Sequence, residues 1–168
     1  AQAFRHAIET GVSTLELDIV MSKDGIPVVW HDPDVQAEKC HDTAPATPND
    51  HMYPYVGKLV HNLNWSQLQT LSCDKKLADF PGQKVAKDNR MIQLEDVFDI
   101  VKKYGAEKDI YYNIETKVEA DDHSKSAEPK EFVDAIMGAV KDAGVQDKVM
   151  IQSFDWRTFP LMKDVAPE

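Results

Sequence analysis

The stretch Thr14–Val20, with the sequence TLELDIV, decides the fold of this chain, and its two carboxylates, Glu16 and Asp18, point to its chemistry. Apolar and acidic residues alternate along it, as in a β-strand with one apolar and one acidic face. The apolar face consists of Leu15, Leu17 and Ile19. Two buried carboxylates on one inner face repel each other and are costly unless they are paired or bind a metal, and hard cations prefer carboxylate oxygens. We therefore predict a buried strand in which Glu16 and Asp18 are metal ligands. The alternative is one salt-bridged and one solvated carboxylate.

The composition predicts a single soluble domain. The chain has 168 residues, of which 42% are hydrophobic, and a formal net charge of −10. Because no apolar segment is long enough to span a membrane, no stable membrane insertion is expected. The acidic balance argues against nucleic acid as a partner, since nucleic-acid phosphates require a basic surface. A phosphate ester remains compatible with it, because a bound cation can reverse the local field. The oligomeric state is left open.

Strands and helices alternate along most of the chain. Strands are predicted at 14–20, 26–31, 109–117 and 148–154, and helices at 1–11, 92–104 and between Phe132 and Gly144, with a last helix beginning near Trp156. This order predicts an α/β fold with a parallel sheet and right-handed crossovers. Polar residues near the strand ends favour a closed TIM (β/α)8 barrel, in which functional residues collect at the carboxyl ends of the strands. Four strands cannot close such a barrel, so we expect it to be incomplete in this chain. An open doubly wound sheet is the alternative, but no glycine-rich phosphate loop supports it.

Residues 34–90 differ from the rest of the chain. They are rich in Pro, Asn, Asp, Lys and His and lack a long apolar period, apart from one short helix predicted at 64–71 with Asn64 as its N-cap. We interpret them as a loop-rich subdomain inserted after the His31 strand, within a single domain that covers 1–168. Both cysteines, Cys40 and Cys73, lie in this segment. They are either two free thiols or a disulfide, and a disulfide implies an oxidising compartment.

Three further polar residues near strand ends could join the carboxylate pair. Glu115 and Lys117 repeat the i, i+2 spacing on the third strand, so that Glu115 could supply a third metal ligand and Lys117 could bind a phosphate. The alternative is a Glu–Lys ion pair inside the fold. His31 ends the second strand and suits proton transfer near neutral pH, although a lone histidine at a strand end is more often structural.

The other histidines and the large aromatic residues are not expected to belong to the site. The remaining histidines are predicted to be solvated: His6, His41, His51, His61 and His123. Trp30 and Trp65 are predicted to be packing residues. Phe154 and Trp156 could border a pocket, but core packing is favoured for both of them.

In this order, the motifs resemble the glycerophosphodiester phosphodiesterase family, and the resemblance covers nearly the whole chain. The motifs are the helix of residues 3–11 followed by 15–18 (LELD), 23–29 (KDGIPVV), 31–33 (HDP), 94–98 (LEDVF), 113–117 (NIETK) and 152–154 (QSF). The ELD motif alone is a weak signal, whereas ELD, HDP and IExK in this order are specific.

The resemblance implies a TIM barrel that hydrolyses a small-molecule glycerophosphodiester to glycerol 3-phosphate and an alcohol, with one divalent cation, Ca²⁺ or Mg²⁺. It implies Glu16, Asp18 and Glu115 as metal ligands and places Lys117 near the phosphate. It also implies His31 as one of two general acid/base histidines, without dividing the acid and base roles between them.

Residues 34–90 resemble the inserted subdomain of exported family members. This favours a disulfide between Cys40 and Cys73 and a periplasmic or secreted protein, with the cytoplasm as the alternative. The family's opening strand, with His-Arg-Gly, and its Pro-Glu-Asn-Thr turn are expected to precede Ala1. They carry the second catalytic histidine, a phosphate-binding arginine and a further metal-binding glutamate. The late strands are expected to follow Glu168.

Two other functions are compatible with these motifs. One is a phospholipase-like or sphingomyelinase-like phosphodiester lyase, which forms a cyclic phosphate. The other is a non-catalytic barrel that binds a cation.

Overall fold

The computed structural model describes residues 1–166, which form a four-stranded mixed sheet, and the helices outside residues 34–90 pack on one face of it. The strands are β1 (Thr14–Met21), β2 (Pro27–Val29), β3 (Tyr111–Thr116) and β4 (Val149–Ser153), and their order in the sheet is β2-β1-β3-β4. All four predicted strands are present, and the buried residues of β1 alternate as its sequence predicts. β3 pairs with β1 and with β4 in parallel, as expected.

The prediction of an all-parallel sheet is wrong for β2, which runs antiparallel to β1. The connection between the two strands is a tight turn around Gly25, which has φ 80 and donates its N–H to the carbonyl of Ser22 at 3.1 Å. So short a connection can only join antiparallel strands, because a parallel pair needs a crossover of a dozen or more residues. β2 therefore returns the chain from the carboxyl end of β1 toward Asp18.

The helices follow the predicted order. They are α1 (Gln2–Thr10), α2 (Trp65–Leu68), α3 (Leu94–Lys103), α4 (Pro129–Ala143) and α5 (Thr158–Val165), with short 3-10 turns at Val60–Asn62, His123–Lys125 and Gln146–Lys148. α3 begins two residues later than predicted because Gln93 forms an isolated bridge with Val28 and is extended. The predicted helix at 64–71 is only one turn long, and its residues 69–71 continue as hydrogen-bonded turns.

The main apolar core lies between the sheet and the helices α3 and α4. Leu15, Leu17 and Ile114 of the sheet are buried there, against side chains of both helices. The rings of Phe98 and Tyr112 meet edge to face, with their centroids 4.9 Å apart. Because every second residue of β1 faces this core, the residues between them, Glu16 and Asp18 included, point to the opposite face of the sheet.

Residues 34–90, called the 34–90 segment from here on, bury a second apolar cluster of their own. Its fully buried side chains include Tyr55, Leu63 and Leu68, and the strands contribute Val20 and Val28 to it. The segment is closed by a disulfide between Cys40 and Cys73, as the resemblance implies. Val20 shares the parity of Glu16 and Asp18 in β1, so the segment packs beside the acidic face of the sheet.

In the part of the chain that the structure describes, no helix combines the length and the apolarity that crossing a bilayer requires.

Candidate active site

Strand register brings the predicted ligands together on the acidic face of the sheet. Asp18 of β1, Glu115 of β3 and Gln152 of β4 are Cα partners in one row across three parallel strands. Glu16 lies in the adjacent row, next to Asn113. Each of Glu16, Asp18 and Glu115 can place one carboxylate oxygen within 4.8 Å of the others. Residues that are about a hundred positions apart in sequence thus meet at one point.

The prediction that both carboxylates of β1 are buried is wrong. Glu16 is exposed and Asp18 is half-buried, whereas Glu115 is only 6% exposed. The neighbouring residues on this face, Tyr111 and Met150, are exposed as well. Within residues 1–166, this part of the sheet is open, and Glu16 and Asp18 line the open surface while Glu115 lies beneath it.

Lys117 follows the end of β3 and points back into the acidic cluster. Its Nζ atom lies 3.0 Å from Oε1 of Glu115 and 3.9 Å from Oδ1 of Asp18, and its side chain is only 18% exposed. The ion pair that we considered as the alternative role of Glu115 and Lys117 is therefore formed. It does not preclude a ligand role for Glu115, because one ammonium group cannot neutralise three carboxylates.

His31 reaches the cluster through the antiparallel return of β2. The sequence predicts His31 as the last residue of this strand, but it lies two residues beyond the end of β2. The backbone N–H of Trp30 donates to the carbonyl of Asp18 at 3.1 Å, which fixes the chain at this level of the sheet. The Nε2 atom of His31 then lies 3.4 Å from Nζ of Lys117. A parallel β2 would have carried His31 away from the carboxylates.

The electrostatics of the cluster favour a bound cation. Although Glu16 as a residue is exposed, the partial burial of its carboxyl group raises the pKa above its ordinary value, and the nearby charges of Asp18 and Glu115 raise it further. Burial also raises the pKa of Asp18, although Lys117 opposes that shift. For both carboxyl groups burial is the largest cause of the raised pKa, repulsion from the neighbouring carboxylates adds to it, and Lys117 and His31 oppose it. Hard divalent cations take carboxylate oxygens, so the donor set of Glu16, Asp18 and Glu115 fits such an ion.

Three residues that were not predicted as site residues support the site: Gln152, Asp32 and Lys39. The side-chain amide of Gln152 donates to Oε2 of Glu115 at 3.1 Å, so that Glu115 is held from both sides. Asp32 contacts the ring of His31, and Lys39 contacts Asp32. Gln152 was detectable from its place near a strand end. The HDP motif gave a signal for Asp32, whereas nothing in the sequence pairs Lys39 with it.

Most of the histidines outside the site are exposed as predicted, namely His6, His41, His51 and His123. The prediction is wrong for His61, which is half-buried and whose Nδ1 atom has no hydrogen-bond partner. Core packing is also wrong for Phe154 and Trp156, which are 77% and 78% exposed. They lie in the turn between β4 and α5. Trp30 and Trp65 are half-buried against the second cluster.

Comparison with protein-family models gives a match over residues 1–168 to the glycerophosphoryl diester phosphodiesterase family. The chain belongs to this family. A curated relative, the glycerophosphodiester phosphodiesterase of Caldanaerobacter subterraneus subsp. tengcongensis, is 27% identical over 165 residues. That match covers 98% of this chain and 56% of the relative, so the chain spans little more than half the length of the relative.

Solved structures of the family share the fold. A Silicibacter pomeroyi protein assigned as a glycerophosphoryl diester phosphodiesterase superimposes with a TM-score of 0.80 at 24% identity, over 99% of this chain and 56% of that one. An Oleispira antarctica phosphodiesterase, solved in complex with the product sn-glycerol-3-phosphate, gives 0.70 at 18% identity, over 99% and 56% of the two chains. These similarities establish the fold of the chain, whereas its chemistry has to be inferred from the residues of the site.

Proposed function

We propose that the protein hydrolyses glycerophosphodiesters to glycerol 3-phosphate and an alcohol, with a divalent cation at the acidic cluster. The observation that carries this proposal is the convergence of Glu16, Asp18, Glu115, Lys117 and His31 on one face of the sheet. Membership of the family supports the reaction class, and the product bound to the Oleispira antarctica relative supports the substrate class.

In this proposal the four strands are part of a TIM (β/α)8 barrel, and residues 1–168 belong to one domain. The 34–90 segment is a subdomain inserted after β2, and it packs beside the acidic face. Family structures that extend well beyond this chain support the larger barrel. The separate apolar cluster of the segment supports its treatment as an insertion.

Each residue of the site has a separate role in the proposed reaction. Glu16, Asp18 and Glu115 would hold the cation, which supplies Lewis-acid polarisation of the phosphate when it is bound. Lys117 places a positive charge beside them and would stabilise negative charge that develops on the phosphate oxygens. His31 would exchange a proton at Nε2, the ring atom nearest to Lys117, with the attacking or the leaving oxygen.

The cation is proposed to be Ca²⁺ or Mg²⁺. Three carboxylates and an open face leave room for water and substrate oxygens, which both ions accept as ligands. Isothermal titration of the intact protein with each ion, before and after treatment with EDTA, would separate them. Binding of neither ion to the intact protein would contradict the proposal.

Glu115→Gln in the intact protein tests the function directly. We expect this change to abolish metal-dependent release of glycerol 3-phosphate from glycerophosphocholine, because it removes the most buried ligand and keeps its volume. Glu119→Gln is the matched control, since Glu119 lies only four residues after Glu115 but outside the acidic cluster. It should leave the rate unchanged, and full activity of Glu115→Gln would refute the site.

The identity of the product separates hydrolysis from the lyase reaction. Phosphorus NMR of the reaction mixture should show an open monoester from the first turnovers. A cyclic phosphate as the end product would instead identify a lyase, and binding of the cation without turnover would identify a non-catalytic barrel.

We further propose a periplasmic or secreted location. The disulfide between Cys40 and Cys73 supports an oxidising compartment. Fractionation of cells that produce the intact protein would test this, with thiol labelling to determine whether the two cysteines are oxidised there. Recovery in the cytoplasm with free thiols would contradict the proposal.

A further inference from the structure

His31 is oriented by side chains rather than by the sheet. It lies beyond the last residue of β2, and its side chain is 62% exposed. Neither strand pairing nor close packing therefore fixes the imidazole ring. Two polar contacts do so: Nδ1 lies 3.1 Å from Oδ1 of Asp32, and Nε2 lies 3.4 Å from Nζ of Lys117.

Asp32 divides its two oxygens between two partners. Oδ1 faces His31, and Oδ2 accepts a hydrogen bond from the ammonium group of Lys39. Burial raises the pKa of Asp32, but the hydrogen bonds from Lys39 and His31 outweigh it, so that the pKa lies below its ordinary value. The group is thus a carboxylate, which can only accept hydrogen bonds.

The 34–90 segment holds Lys39 in place. The backbone N–H of Lys39 donates to the carbonyl of Gln36 at 3.1 Å, and its carbonyl accepts from the N–H of Lys75 at 3.3 Å. The next residue, Cys40, is fully buried and bonded to Cys73. The Nζ atom of Lys39 also lies 5.3 Å from the centre of the Trp30 ring. The backbone contacts within the segment and the ring of Trp30 together direct the ammonium group of Lys39 toward Asp32.

This arrangement selects one neutral form of His31. A carboxylate at Nδ1 requires a proton on that nitrogen, which leaves the lone pair on Nε2. Nε2 faces the ammonium group of Lys117, which can only donate hydrogen bonds. Both neighbours thus favour the same tautomer, in which Nε2 is free to accept a proton beside the acidic cluster.

We propose that Asp32 is a positioning residue that holds His31 in its Nδ1–H tautomer, and that Lys39 keeps the accepting oxygen of Asp32 turned toward the ring. The proposal rests on the proposed function, because it takes His31 as the proton-transfer group. It links the 34–90 segment to the site through the path from Lys39 to Asp32 to His31.

Asp32→Asn tests the tautomer without a change of volume. Lys39 will attract the amide oxygen of the new side chain, which turns its NH₂ group toward His31. The NH₂ group then favours an accepting Nδ1, which shifts the tautomer equilibrium toward Nε2–H, while Lys117 still opposes a proton on Nε2. Nitrogen-15 NMR of the histidine-labelled intact protein reports the tautomer directly, and the His31 signals are assigned by their absence from His31→Gln. We expect the Nδ1–H form in the wild type and a clear shift of the population toward the Nε2–H form in Asp32→Asn.

Lys39→Met separates the two supporting residues. On its own it should weaken the preference for the Nδ1–H tautomer without inverting it, because Asp32 remains a carboxylate. Combined with Asp32→Asn, it should restore part of the Nδ1–H form, because the amide oxygen is then free to turn to His31. This partial rescue is a coupling that a purely structural role for Lys39 would not produce.

The kinetic test uses glycerophosphocholine and a matched His–Asp pair as control. Asp32→Asn should lower kcat by about 10- to 100-fold, the usual cost of losing a residue that orients a functional group, and leave KM unchanged. In Asp74→Asn both values should be those of the wild type, although Oδ1 of Asp74 lies 3.5 Å from Nδ1 of His41 in the same segment.

An unchanged His31 tautomer in Asp32→Asn would overturn the proposal, whatever the rate. So would an equal loss of kcat in Asp74→Asn, because the effect would then be structural. If the intact protein releases no glycerol 3-phosphate at all, the proposed function fails, while the NMR spectra still decide the role of Asp32.

Discussion

The sheet with its helices and the 34–90 segment both bury apolar side chains completely, but they fix their backbones in different ways. Ile114 in the sheet and Leu63 in the segment are equally inaccessible. The strands are held by continuous ladders of backbone hydrogen bonds. The segment relies on isolated bridges, on the disulfide and on side chains that bond to the backbone, such as Asp42, which accepts from the N–H of Tyr55 at 2.7 Å.

This difference carries over to the candidate site. Strand register alone sets the spacing of Asp18 and Glu115, so those two side chains depend on the sheet. The ring of His31 depends on Asp32, and through it on Lys39 in the segment. A change in the sheet should therefore act on the whole molecule, whereas a change in the segment should act first on its own backbone.

The largest effect is expected from Ile114→Ala. Ile114 is fully buried in the main core, and removal of its side chain leaves a cavity between the sheet and its helices. We expect a loss of about 2–5 kcal/mol in the free energy of unfolding, measured by urea denaturation. Asp99→Ala, at an exposed position of α3, should change the free energy of unfolding by less than about 0.5 kcal/mol. Equal losses in the two variants would contradict the placement of the core between the sheet and its helices.

The regular half of the molecule could be predicted from sequence because its periodicities are strong. Alternation in 14–20 gives both the strand and the two faces, and the observed burial alternates with it from Thr14 to Ile19. The carboxylate cluster follows from the parity and the parallel register of two strands. The direction of β2 was missed although residues 22–25 (SKDG) carry a turn signal, because the alternation of strands and helices elsewhere favoured a parallel pairing.

The irregular half could not be predicted in the same way, because its contacts do not recur at any period. The pairing of Lys39 with Asp32 depends on an irregular chain path, which turns at Gln36 and is held by contacts with Lys75 and by the disulfide. The exposure of Phe154 and Trp156 was likewise missed, because an aromatic residue near a strand end carries no local sign of what packs against it.

A smaller and more local effect is expected from Cys40→Ala combined with Cys73→Ala. The disulfide joins residues 33 positions apart, and its loss should cost about 2–4 kcal/mol through the greater freedom of the unfolded chain. Hydrogen exchange followed by mass spectrometry should show faster exchange in the 34–90 segment than in β3. Reduction of the wild-type protein should reproduce the change.

An equal acceleration of exchange in β3 would show that the two regions unfold as one unit. In that case the different backbone supports would have no separate energetic consequence. If acceleration is confined to the segment, the two apolar clusters are distinct cooperative units.

The smallest effect concerns Asp155, a carboxylate that follows β4 much as Asp32 follows β2, but with a partner only two residues away. Its oxygens accept from the backbone N–H and the guanidinium group of Arg157, and these hydrogen bonds hold the pKa of Asp155 below its ordinary value despite its burial. A lowered pKa in the folded state stabilises the protein at pH values above the unfolded-state pKa of about 4, and that stabilisation is lost as the pH falls through the lower folded-state pKa.

Asp155→Asn should therefore cost up to about 1 kcal/mol at pH 7, since Arg157 is half-exposed and screened by solvent. The difference from the wild type should shrink at pH 3 and below. Urea denaturation at both pH values measures this, with the exposed Asp147→Asn as control. A difference that stays constant with pH would mean that Asp155 acts through its shape, and that its charge contributes nothing to the turn after β4.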